Sequence, residues 1–142
     1  MNAITLEQAQ TVIKAAFDKG ERLGLKPLSA AVLDSGGHLI AFQRQNGASN
    51  LRPEIAIGKA AGALDLGVSS RKIADMAAER PSFVASLGAI AHAGVIPAAG
   101  GVIVVDDNNL AIGAVGITGD TSDNDELCVL AGIAAAGLQP QA

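Results

Sequence analysis

Apolar residues recur along the chain with two different periods, and each period marks a different kind of element. Leu6, Ala9, Val12, Ile13, Ala16, Phe17 and Leu23 follow one another at helical spacing behind Thr5-Leu6-Glu7-Gln8, which has the form of a capping box. A first helix over residues 6–24 is the result. Residues 28–34 (LSAAVLD) and 38–44 (HLIAFQR) are short aliphatic runs on either side of Ser35-Gly36-Gly37, whose glycines can take the positive φ of a tight turn. They predict a β-hairpin. A second helix opens at Arg52, with Pro53 suited to its first turn and Glu54 to its positive dipole end, and runs to about Leu66 before Gly67. Ser69 or Ser70 caps a third helix through Glu79, and Pro81 separates it from a shorter one over residues 83–91. Beyond a loop marked by Gly94, Pro97, Gly100 and Gly101, residues 102–105 and 111–117 predict a second hairpin around Asp106-Asp107-Asn108-Asn109. The last helix begins near Ser122, with acidic residues in its first turn, and ends at Gly137.

Two hairpins with helices before, between and after them favour an α+β layer fold, a central antiparallel sheet flanked by helices, over a parallel doubly wound sheet. With 142 residues and neither repeat nor linker, the expectation is one domain covering residues 1–142. Residues 81–105 carry no formal charge and are long enough to span a bilayer. Pro97 and the pair Gly100 and Gly101 would break a lipid-facing helix there, so the stretch reads as a helix, a loop and a buried strand.

Composition narrows the function classes. Hydrophobic residues at 49% and charged ones at 17% exclude disorder and leave more apolar surface than a small domain hides, which predicts a homo-oligomer. Small-residue surfaces on the second and last helices point the same way. A net charge of -4, no basic run, and three Phe with no Trp or Tyr argue against a nucleic-acid partner. The single Cys128 supports neither an internal disulfide nor a thiolate metal site, and Met1-Asn2 leads into acidic Glu7 rather than a basic and then apolar leader. A cytoplasmic location is therefore expected.

No nucleophile elbow, phosphate loop or zinc-binding helix is present, so candidate chemistry rests on individual residues. Gly113-Ala114-Val115-Gly116 lies within a strand, where glycines serve close backbone packing better than phosphate binding. Lys59 sits among Ile57, Gly58, Ala60 and Ala61, and positions 55, 56, 62 and 63 offer no helical ion pair, so its partner is elsewhere. Either its stem snorkels to water, or its ammonium edges a pocket and binds an anion. Arg44 ends its strand before Gln45-Asn46-Gly47, where a guanidinium can hold a carboxylate. His38 follows the glycine turn and is expected to be exposed, whereas His92, next to the Pro97 loop, is the better candidate base or ligand. Asp120, Asp123, Asp125 and Glu126 fit a first-turn role against the helix dipole better than a metal site, and Cys128 reads as a core thiol.

Five motifs in order carry a resemblance: Ala31-Val32-Leu33-Asp34-Ser35-Gly36-Gly37-His38-Leu39, Ala41-Phe42-Gln43-Arg44, Ile57-Gly58-Lys59-Ala60, Pro97-Ala98-Ala99-Gly100-Gly101 and Ile112-Gly113-Ala114-Val115-Gly116-Ile117-Thr118-Gly119. Together they resemble the GlcG/HbpS family of haem-binding or haem-degrading domains, similar also to the C-terminal domain of PduO-type proteins. The resemblance implies a profilin-like sandwich, assembly into homo-oligomers, haem or corrinoid binding, and accessory roles beside catabolic pathways. Some haem-binding relatives use a first-helix histidine, which residues 6–24 lack, and secreted relatives carry a signal peptide, which is not expected here.

Three functional readings follow: a binding protein for haem or a small anionic metabolite, an enzyme acting on a small organic acid, and a purely structural oligomer. In the enzyme reading Lys59 and Arg44 anchor the acid and His92 or Glu54 is the general base. In the pocket expected here, Lys59, Arg44, Pro97, Gly100 and Gly101 converge on one concave site. No metal ligand set and no cofactor other than haem is expected.

Overall fold

The structure, a computed structural model, describes residues 2–142. Helix α1 (Leu6–Leu23) opens with the predicted capping box, the Thr5 hydroxyl accepting from the Gln8 amide while the Gln8 side chain accepts from the Thr5 amide. It ends at Gly24 in the left-handed conformation, as a helix stop without a Cβ allows. Strands β1 (Ser29–Asp34) and β2 (Leu39–Arg44) form the first hairpin, and β3 (Gly101–Val105) and β4 (Ala111–Thr118) the second. Between them lie α2 (Arg52–Leu66), α3 (Ser70–Glu79) and α4 (Pro81–Leu87), and after them α5 (Ser122–Ala135) and the short β5 (Gln139–Pro140). The uncharged stretch 81–105 resolves into α4, a loop and β3, as expected. Pro81 does not stand before α4 but begins it, because proline suits a first helical turn.

The sheet is antiparallel throughout, in the order β2-β1-β4-β3-β5. The two hairpins therefore join through β1 and β4, which puts both of these strands in the interior. β5 adds Pro140 at an edge, where its missing amide proton costs no ladder bond. One face of the sheet presents Ala30, Val32, Val102, Val104, Val115 and Ile117 to α1 and α5. The other presents Leu33, Ala114, Ile103 and Val105 to α2. The result is a helix–sheet–helix sandwich.

Close approach of α2 depends on glycine in the sheet. A Cβ on Gly116 would overlap the Ala56 carbonyl, so the strand glycines serve backbone packing. The small residues of α2 and α5 are likewise used within the chain. On α2, Gly58 and Gly62 receive Ala93, Gly94, Val95 and Ile96 of the loop, and on α5 Gly132 lies against the Val12 carbonyl of α1. These surfaces are covered intramolecularly, so they do not carry the case for an oligomer. That case rests on exposed side chains such as Leu6, Leu23, Leu127, Leu130 and Ile90.

Replacing Gly116 by Ala is expected to lift α2 off β4 and to cost about 3 kcal/mol, the upper part of the overpacking range. Urea denaturation measures it, and an unchanged midpoint would contradict the packing described.

Candidate functional site

Three places hold the residues that carry chemistry, and α2 connects them. The first is internal. Lys59 is 2% exposed, and its ammonium donates to the Ile117 carbonyl at 2.9 Å and to Asp125 Oδ2 at 3.2 Å. Its missing helical partner is thus supplied by α5. The other oxygen of Asp125 accepts from the Asp120 amide at 2.9 Å. Burial pushes the Lys59 pKa below the ordinary lysine value, opposed by the Asp125 charge and reinforced by the nearby Arg52 guanidinium. Gly100 and Gly101 close over this pair: a Cβ on Gly100 would stand 2.8 Å from Lys59 Nζ, and one on Gly101 would overlap the Lys59 carbonyl. The predicted neighbours Lys59, Gly100 and Gly101 do meet. Where an exterior anion was expected on the ammonium, the Asp125 carboxylate from the same chain is found instead.

Each carboxylate of the acidic run has a separate structural partner. Asp123 and Glu126 both bind the Arg71 guanidinium of α3, whose pKa they raise. Asp120 accepts from the Lys26 and Thr121 amides and from the Asn124 side chain, which hold its carboxyl down at about 2. Cys128 is buried, and desolvation raises its pKa to about 11, which keeps it a protonated core thiol. Pro97 lies apart, in a cleft of about 270 Å³ with Arg71, Asp75, Ser122 and Asp123.

The second place is the N-terminal end of α2. Arg52 Nη1 donates to Thr118 Oγ1 at 2.7 Å, and its Nε donates to Ser49 Oγ at 3.3 Å. Pairing places Ser29 opposite Thr118 on one side and Arg44 on the other, so the three occupy one row on the α2 face. Ser29 is fully buried and its hydroxyl has no partner, a condition that costs about 1–3 kcal/mol. Arg44 is exposed and also borders a groove with Phe17, Glu21, Leu25 and Pro27. Neither Arg44 nor Arg52 has a carboxylate partner among the described residues. Glu54 is exposed on the first turn of α2.

Ser29, Thr118 and Arg52 were not among the sequence candidates. A signal existed for Ser29: strand alternation puts it on the inward face with Ala31 and Leu33, where a lone hydroxyl needs a partner. Thr118 and Arg52 gave no such signal, since each reads as an element end.

The third place lies at the other end of α2. His92 is exposed in the loop after α4 and lines a cleft of about 390 Å³ with Asp65, Leu66, Leu87, Ile90, Ala91 and Val95. His38 is exposed at the hairpin turn, its Nδ1 3.1 Å from Asp34 Oδ1, which also accepts the Gly36 and His38 amides. Arg44 and His92 therefore stand by opposite ends of a helix about 21 Å long. Within one protomer the five expected pocket residues do not form one concave site.

Two stability predictions follow. Lys59→Met leaves the Asp125 carboxylate buried and unpaired, and is expected to cost about 3–5 kcal/mol by urea denaturation, with recovery when Asp125→Leu is added. A single variant as stable as the parent would refute the pairing. Asp120, with its carboxyl lowered in the folded state, contributes stability that is present above 3.8 and lost as pH falls toward about 2. Asp120→Asn should flatten the thermal midpoint against pH in that window.

Comparison with known proteins accords with this architecture. A PduOC–haem complex superposes with a TM-score of 0.86 at 21% identity, covering 99% of both chains, a likeness of fold. HbpS matches at TM-score 0.79 and 28% identity, covering 93% of this chain and 89% of its own. The Klebsiella pneumoniae protein ORFY matches at 0.84 and 26%, covering 94% and 90%. Comparison with curated proteins gives no match. The model of the HbpS-like family, described as a haem degrading protein, matches residues 4–134, and the chain belongs to that family.

Proposed function

We propose that this chain is a small-molecule-binding protein whose ligand is a haem-like tetrapyrrole, working as an accessory to a catabolic pathway in the cytoplasm. The observation that carries the reading is the His92 cleft. It combines an imidazole with the apolar walls of Leu66, Leu87, Ile90 and Val95, the pairing that a hydrophobic iron macrocycle requires. Ile90 is 83% exposed, so apolar surface is available there for a planar ligand. Among the described residues the only carboxylate in the cleft is Asp65 and no cation lines it, so acidic substituents of the macrocycle would point to solvent. When bound, haem would supply redox and ligand-binding chemistry at its iron, and His92 would hold that iron through a ring nitrogen.

A second reading, binding of a small anionic metabolite, is favoured by a different observation: two guanidiniums that, among the described residues, have no carboxylate partner, beside a hydroxyl likewise without one. Binding fits the geometry better than acid-consuming catalysis. The Lys59 cation is occupied by Asp125, and His92 stands too far from Arg44 to act on a group held there. Assembly into a homo-oligomer would cover the exposed leucines of α1 and α5 and could enclose the His92 cleft.

A haem titration followed by absorption is expected to give a Soret shift that His92→Ala abolishes and His38→Ala retains. An unchanged spectrum in the His92 variant would overturn the ligand assignment. Light scattering at micromolar protein should give a multiple of the chain mass, and a monomer mass would remove the oligomer from the proposal.

A further inference from the structure

We infer that Ser29, Thr118, Arg52 and Arg44 form a binding site for the carboxylate of a small organic acid. The inference rests on the anionic-metabolite reading and is independent of haem at His92.

The row is a set of donors that lacks an acceptor. Thr118 Oγ1 accepts the Arg52 proton, which leaves its own hydroxyl proton free to donate. Ser29 contributes a second hydroxyl, fully buried and without any partner, beside Thr118 in the strand register. Arg44 flanks Ser29 on the opposite side, and neither guanidinium meets a carboxylate among the described residues. The helix N-terminus at Arg52 adds positive potential, and Arg52 lies close enough to Lys59 to depress its pKa. A group that only accepts hydrogen bonds and carries negative charge completes such a set, and guanidinium geometry favours a planar one.

The surroundings choose between acids. Phe42 is half-buried opposite Ala31, two positions from Arg44 on the same face of the sheet, so an apolar wall adjoins the donors. Ser29 and Thr118 sit on neighbouring strands about 4.8 Å apart, a spacing that suits a flat carboxylate with a short carbon chain better than a tetrahedral dianion. The occupant is therefore a small monocarboxylate rather than inorganic phosphate.

Ser29 permits a test in which binding and stability move independently. Replacing it by alanine removes a buried hydroxyl that has no partner, so the ligand-free melting temperature should hold or rise. Carboxylate affinity should nevertheless fall, by about ten-fold or more for loss of a charge-assisted bond. The full chain is titrated with acetate, propionate and butyrate, and with inorganic phosphate, by calorimetry and thermal shift. Expected are binding of the carboxylates but not phosphate, weaker binding in Ser29→Ala and Arg44→Ala, and undiminished binding in His92→Ala. Arg44 is exposed on an edge strand, so its variant serves should Ser29→Ala misfold. The site is overturned if no carboxylate binds, if phosphate alone binds, or if both variants bind as the parent does. Carboxylate binding without a Soret shift sinks only the haem reading, and the converse result sinks only this one.

Discussion

The buried contact between Lys59 and Asp125 constrains both helical layers at once. Lys59 belongs to α2 on one face of the sheet and Asp125 to α5 on the other, and they meet at the end of the sheet where β3 begins and β4 stops. Neither charge can be left alone in that setting, since removing one strands the other without solvent. Both helices are therefore held in register with the strand ends they cover. The loop above must also come close, which is why residues 100 and 101 carry no side chains. Asp125 does a second task by accepting the Asp120 amide, so the loop between β4 and α5 is shaped by the same group.

That contact also determines what stays available for ligands. Its ammonium is neutralised internally, yet Arg52, two turns back on the same helical face, still depresses the Lys59 pKa and has only hydroxyl partners of its own. The N-terminal end of α2 is consequently a place of excess donors and positive potential. Its C-terminal end has the opposite character, with Leu66, Leu87, Ile90 and Val95 around an imidazole. One helix about 21 Å long thus separates a donor-rich end from an apolar end that carries an imidazole, and no single small ligand would engage both ends of a protomer.

Much of this fold was legible from local pattern. The capping box, the glycine turn between β1 and β2, and the interrupted apolar stretch 81–105 are each encoded within a few residues, so each element could be read in place. The joining of the hairpins through β1 and β4 was not legible, because both strands are buried on two faces and their sequences do not say which neighbour they choose. Lys59 shows the same boundary in a site residue. Its lack of a partner on its own helix was visible in the spacing, but Asp125 lies 66 positions away, and its acidic neighbours made an ordinary first-turn role look sufficient. Ser29 was concealed differently, as one small residue in an aliphatic strand, although its parity with Ala31 and Leu33 placed it inside. Cation spacing pointed to an anionic partner for Lys59, and the anion found there is a carboxylate of the same chain.

The family likeness and the local chemistry carry different weight. The close approach of α2 to the sheet follows from Gly101 and Gly116, where a Cβ would overlap the Lys59 and Ala56 carbonyls. Membership does not locate a ligand, because a sandwich of this kind can be stabilised by its interior alone. A haem ligand must be held by donors this chain possesses, and α1 offers no imidazole. Of the two histidines, His38 stands at a polar turn against Asp34, where burying a macrocycle would gain little. His92 lines a cleft with side chains whose burial is favourable, so on the proposed haem reading the loop packed along α2, rather than the first helix, would hold the iron. Residues 93–96 of that loop rest on Gly58 and Gly62, the helical turns immediately around Lys59, so the loop and the buried pair share one stretch of α2.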